Sequence, residues 1–389
     1  MDSAQDFPNF IAVHSNATDR LLQRMRLLPS SARRGYRMIS LIAITWLPLL
    51  AFAALAGHVR GFAVSVSFLR DPEVNCRLLI ALPLLELAEV LLAVSLTVQA
   101  RELVHSGIVG KEQTAQFKVA LASVRRWHES PSADVILWTI SFSMALLMRL
   151  AVVPDISSSW ERQGNGFTWA GWWHMLISLP VLYFFLLRAI WIFVLWVVFL
   201  YQVSRLHLLL TPTHPDHAGG LGFLGWGLAS FSPVLAAFST VMSAGFAYEI
   251  YHRNESLDSL KYHLLVYVLL VTFVVHFPLL PFTIKLCRCR LYGLLEFGRL
   301  VWRYDRAFDE KWIEPAPETI SEPLLGTSDI QSLADIATAY DHVDEMRLIL
   351  FDTKAATVLA LASVLPMLPL IGTAIPIQEI VAKLGELLI

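Results

Sequence analysis

Three cysteines in 389 residues cannot build a disulfide framework, which excludes a small stapled secreted domain. No Walker loop, HExxH string, Ser-His-Asp order or dinucleotide fingerprint is present, so no named enzyme class is supported. No compact basic domain suits nucleic acid, and no repeat or low-complexity tract appears. Charge is scarcest where hydrophobicity is greatest. Seven apolar segments (39–56, 78–98, 135–153, 175–200, 223–248, 263–284 and 355–375) total 153 residues and carry only four formal charges, Glu86, Glu89, Arg149 and Arg188. The other 58 charges fall in 236 residues, the usual density of soluble surface. Such a composition excludes a soluble enzyme and a disordered chain.

What is there is a set of membrane spans. About 20 apolar residues cross a ~30 Å hydrocarbon core as a helix, and each segment is long enough. The expected fold is all-α, a polytopic transmembrane helix bundle of six or seven spans. Lys and Arg number 21 in the N-terminus and alternate loops against six in the others. The positive-inside rule therefore puts 1–38, 99–134, 201–222 and 285–354 in the cytoplasm. Residues 39–284 form a six-span bundle, with 99–134 read as a cytoplasmic helical hairpin. Residues 285–354 are read as a cytoplasmic helical region. Pro366 and Pro369 leave 355–375 open as a kinked span or a re-entrant segment, followed by an amphipathic tail to 389. Trp160, Trp169, Trp172 and Trp173 are expected at the outer interface.

Charges at span depth are costly, about 2.5–3.5 kcal/mol each on insertion scales, so each needs a partner or a water path. Glu86 and Glu89 share one helix face at i, i+3 spacing. Counting residues from the outer ends places Glu89 level with Arg188 and Glu86 near Arg149 at the helical rise. Two pairs are expected, Glu89–Arg188 and Glu86–Arg149, with His276 joining them from mid-depth in the sixth span. They either fix helix packing or line a polar path for an ion or proton.

The most distinctive string is RLHLLLTPTHPDHAGGLGFLGWG, residues 205–227. His214, Asp216 and His217 are ligand types for a divalent metal. The competing reading makes Asp216 a helix cap, with Gly219, Gly220 and the glycines after them allowing the fifth span to approach a neighbour. A third is anion binding at the helix start. In 285–354, Ser328 and Gln331 have capping-box spacing before a helix whose apolar face holds Ile330, Leu333, Ile336, Ala337 and Tyr340. The stretch 312–327 reads as a loop. Cys287 and Cys289 read as free thiols, and Asn254 to Ser256 form a glycosylation triplet.

The strings FLRDPEVNCRLLIALPLLELAE (68–89), RLHLLLTPTHPDHAGGLGFLG (205–225) and GTSDIQSLADIATAYDHVDEMR (326–347) resemble those of a family of bacterial polytopic inner-membrane proteins. The resemblance implies an inner-membrane location and brings no substrate. It singles out Arg70, Asp71, Glu89, His214, Asp216, Gly219, Gly220 and Asp329 as members of the signature strings. The leading expectation is transport of an ion or small solute through the bundle. A membrane metalloenzyme using the histidine loop and a membrane scaffold or signalling protein stand as alternatives. The expected partners are the lipid bilayer and, in any of these roles, a homo-oligomer.

Overall fold

The computed structural model describes residues 9–10, 34–60, 64, 66–151, 159–163, 166–253, 257–313 and 328–370. Among them, seven helices are long and apolar enough to cross a membrane: Tyr36–Leu55, Pro72–His105, Pro131–Met148, Trp169–Ser204, Gly222–Tyr251, Tyr262–Ile313 and Thr353–Leu370. The chain is an all-α, multi-pass bundle, because in hydrocarbon only a helix satisfies each backbone amide within its own segment. Arg20, Arg24, Arg26 and Arg33 of the N-terminal segment, the Asn254 triplet, 314–327 of the proline loop and the tail after 370 lie outside the described residues.

Burial ranks the spans. The second and fifth are 56% buried over their apolar windows, whereas the sixth is 17% buried. The main core is therefore built from the second, fourth and fifth spans, with Leu92, Leu96, Trp196, Phe199 and Leu228 at its centre. The first, third, sixth and seventh wrap it and turn Leu265, Leu269 and Phe273 outward. That is the reverse of a soluble protein, and it suits a lipid solvent.

The two ends differ. At one, Phe68, Trp160, Leu49 and Ala170 form a second core. Trp160 is buried there rather than placed at an interface; its Nε1 donates to Asp71 Oδ2 at 2.9 Å. Trp173 donates to the Ile44 carbonyl at 3.1 Å, and only Trp169 and Trp172 are exposed. At the other end, Val109 and Leu208 form a bridge, and Leu209 N donates to Ile108 O at 2.8 Å. These contacts tie the connection after the second span to the histidine loop after the fourth.

The stretch 99–134 is not a separate hairpin. The second-span helix continues to His105, and one amphipathic helix follows, Thr114–His128. It buries Phe117, Leu121, Val124 and His128, at spacings of four, three and four. Its course is fixed by aromatic contacts to the fourth span. Phe117 lies 5.6 Å from Phe199 and Trp127 lies 6.5 Å from Trp191, centroid to centroid. The next helix, Pro131–Ala151, continues the descent. Asp134 is 3.8 Å from Arg188, and Trp138 stacks on Phe184 at 4.3 Å. Partner numbers fall steadily as chain numbers rise, so both helices run in one sense, antiparallel to the fourth span. Together they form one interrupted path along the fourth helix, of which only Pro131–Met148 is long and apolar enough to cross a membrane. Its break, Glu129–Ser130, comes level with Arg188, near the middle of Trp169–Ser204. Pro131 causes it: proline supplies no backbone donor and disfavours helical geometry at the residue before it.

In the sixth span, Pro278 and Pro281 turn Phe277–Phe282 into a 3-10 segment before the helix resumes as Thr283–Phe308. The helix Asp329–Asp344 folds back along it, held by Arg290 to Asp344 (2.9 Å) and Lys311 to Asp329 (2.9 Å). Ser328 forms no capping box. Its φ and ψ of −78° and −4° are helical, and its hydroxyl caps nothing. The neighbouring Asp329 carboxylate instead takes Lys311 and Trp312, which hold its carboxyl below the usual range. The seventh helix is capped by Asp352, which accepts from Ala355 N at 2.7 Å, and it passes Pro366 through one 3-10 turn.

Candidate functional site

Three helices converge at the break. Glu89 comes from the second span, Arg188 from the fourth and Asp134 from the first turn after the break. Arg188 donates Nε to Glu89 Oε2 at 2.8 Å and Nη2 to Glu89 Oε1 at 2.7 Å, a two-point grip that uses the planar fork of the guanidinium. Its Nη1 faces Asp134 Oδ1 at 3.8 Å. All three side chains are buried. Beside them lies a water-sized cavity lined by Glu89 and Arg188 and by apolar Leu85, Leu92, Phe185, Ile192 and Val234.

The fourth member is His128, the last residue of the helix before the break. It is 3% exposed, and neither ring nitrogen has a hydrogen-bond partner. Its field is set by Arg188, Glu89, Asp134 and Glu129. A buried imidazole without a partner is costly, about 1–3 kcal/mol for each orphaned group, so its presence here calls for a reason.

The other expected site residues are distributed differently. Glu86 pairs with Arg37, Oε1 to Nε at 2.8 Å, at the start of the first span. The side chain of Arg149, the partner expected for it, lies outside the described residues. His276 does not come to the cluster. Its Nδ1 meets the Thr272 carbonyl of its own helix at 2.8 Å and its ring packs on Phe351. Arg37 and Asp134 were missed because each sits just outside an apolar run, and His128 because it lies in the stretch 99–134 read as cytoplasmic. The available signal for His128 was its place on the apolar stripe of Phe117, Leu121 and Val124.

The histidine loop is an anchored turn. Asp216 Oδ1 accepts from Ala218 N (2.8 Å) and Gly220 N (3.1 Å), and Oδ2 accepts from Gly222 N (2.8 Å) at the start of the fifth span. Gly219 and Gly220 have φ of +64° and +95°, which only glycine adopts freely. The close approach expected of the glycines is made by Gly227, where an added Cβ would sit 2.2 Å from Gln99 of the second span. His214 Nδ1 contacts Asp216 at 2.8 Å, but His217 turns away to stack on His342 at 5.1 Å. The three proposed metal ligands thus do not converge. Among the described residues, no group of three or more His, Cys, Asp and Glu side chains is placed to hold a metal ion.

At the tryptophan end, Asp71 caps the second-span helix through Glu73 N (3.0 Å) and Val74 N (3.3 Å). Burial pushes its carboxyl up to about 6, and the charges of Glu161 and Glu73 add to this against the Trp160 and Val74 hydrogen bonds. A carboxyl whose folded value is raised binds its proton more tightly when folded, so stability falls as pH rises from about 4 through about 6. Asp71→Asn keeps the acceptor and removes the charge. Its melting temperature relative to wild type is expected to climb across that window and to be flat above it, as thermal unfolding in detergent would show.

No protein-family model, curated protein or solved structure matches this chain.

Proposed function

We propose that this chain passes an ion or small solute through its bundle, with Glu89, Arg188, Asp134 and His128 lining or gating the path at the helix break. Its support is that charged and titratable side chains from separate helices meet near the middle of the fourth helix, beside the break between Thr114–His128 and Pro131–Ala151. Ionisable groups at that depth, facing the bundle interior, are the usual marks of an ion or proton path, and discontinuous helices are where transporters build their sites. We place the protein in the bacterial inner membrane with its N-terminus and histidine loop in the cytoplasm. The loop count of Lys and Arg supports that sidedness: leaving out the five in 99–134, it is still 16 against six.

The test is flux of H⁺, Na⁺, K⁺ and Cl⁻ across liposomes holding the purified full chain. Under an imposed gradient, Glu89→Gln is expected to reduce the flux of the carried ion at least about tenfold, a barrier increase of about 1.4 kcal/mol. Unchanged flux in a well-folded Glu89→Gln protein would remove the cluster from the path. Absence of any flux in the wild type would remove the reading itself.

A further inference from the structure

We propose that the ion is a proton and that His128 carries it past the break. This rests on the reading of the bundle as a conducting path and names what that path conducts.

Size favours a proton. The space beside Glu89 and Arg188 is water-sized, and its remaining walls are apolar side chains. A sodium, potassium or chloride ion there would shed its water shell and find few replacement ligands, since Glu89 is already gripped at both oxygens by Arg188. A proton needs no such room. It moves along hydrogen bonds, and one ordered water between polar groups suffices.

A structural histidine in a core normally has at least one ring nitrogen satisfied. In His128 both nitrogens are buried and unpartnered, on a ring at the end of one half-helix. The charges that act on it are those of Arg188 from the fourth span, Glu89 from the second, Asp134 from the helix after the break, and the adjacent Glu129. In the proposed relay one of the carboxylates, Glu89 or Asp134, gives the ring a proton and the other takes one from it. A neutral imidazole carries one N–H and one lone pair. It takes a proton on the free nitrogen, becomes imidazolium, and releases the other proton from the opposite nitrogen. The ring returns neutral as the other tautomer, and a flip about its side-chain bonds resets it. No bond other than N–H and O–H forms or breaks, and no electron is exchanged. The unpartnered nitrogens serve this cycle, because a ring locked by strong hydrogen bonds cannot flip. The Pro131 break supplies a turn in place of a rigid helix at that position.

Replacing His128 with leucine separates this from a packing role. No hydrogen bond is lost in His128→Leu, so a merely structural histidine predicts a protein at least as stable, with wild-type flux. A relay predicts equal stability and loss of proton flux. The full chain is reconstituted in liposomes containing a pH-sensitive dye, a potassium gradient with valinomycin drives the proton, and Na⁺, K⁺ and Cl⁻ movements are followed in parallel. The expected result is wild-type acidification that falls at least about tenfold in His128→Leu. His128→Gln provides a second variant should leucine disturb folding. It retains polarity and volume without a titratable nitrogen, and is expected to lose flux equally. Proton flux unchanged in either folded variant overturns the assignment of His128. Wild-type flux of Na⁺, K⁺ or Cl⁻ without H⁺ overturns the proton but leaves the conducting bundle standing. No flux of any kind overturns both.

Discussion

Arg188→Leu is expected to destabilise the bundle by about 3–5 kcal/mol, the cost typical of breaking a buried ion pair by removing one partner. The variant takes from the Glu89 carboxylate the guanidinium that holds it at both oxygens (2.8 and 2.7 Å) and that faces Asp134 at 3.8 Å. Neither carboxylate then has that counter-charge in a core of Leu85, Leu92, Phe185 and Ile192. The informative partner is the double variant Glu89→Leu/Arg188→Leu. A buried pair replaced by apolar groups of similar volume is often neutral or stabilising. The double is therefore expected to be more stable than Arg188→Leu alone, although Asp134 still faces the site. Unfolding midpoints of the wild type, two singles and the double, measured in one detergent, complete the cycle. A double equal to the sum of the singles would mean that the two side chains do not stabilise each other, and the convergence at the break would lose its energetic basis.

The spans were legible because their signal is long and nearly charge-free, and because depth can be counted along helices that run in the same direction. That counting brought Glu89 to the level of Arg188: both helices enter from one face, so errors in placing that face cancel. Arg37 escaped it. The first apolar run begins at Ile39, and a basic residue two positions earlier reads as part of a loop, although it is 1% exposed and pairs with Glu86. The helix Thr114–His128 was obscured in the same way. Lys118, Arg125 and Arg126 on its outer face give it the composition of a surface helix, and its inner face of Phe117, Leu121, Val124 and His128 speaks only once the fourth span is seen beside it. Ser328 shows the limit of spacing rules. Ser-x-x-Gln has the form of a capping box, but Lys311 and Trp312, brought close by the returning helix, engage the next residue.

Asp216→Ala is the second large effect, and it falls at the other end of the molecule. The carboxylate accepts from the amides of Ala218, Gly220 and Gly222, so truncation leaves three donors without their acceptor. Hydrogen bonds to a charged group are worth about 1.5–3 kcal/mol each when fully formed, but the site is half-buried and water replaces part of what is lost. A net cost of about 2–3 kcal/mol is expected, with Asp216→Asn between the alanine variant and wild type because its amide oxygen still accepts. The pH dependence follows from the same contacts. Burial alone would raise this carboxyl, but the amides of Ala218, Gly222 and Gly220, together with the His214 ring, outweigh it and hold it below the usual range. A depressed folded value stabilises at pH above the unfolded carboxylate value, and this stabilisation is lost as pH falls through the folded one. The local consequence reaches further along the chain. Arg347 donates its backbone N–H to His217 O at 2.7 Å and Nη2 to Asp216 O at 3.0 Å, so the turn is also the dock for the segment leading into the seventh helix. Hydrogen exchange is expected to accelerate in Asp216→Ala both in 214–222 and at Arg347, with the second and fourth spans unchanged. Protection at Arg347 that survives the substitution would show that the seventh helix docks without the turn.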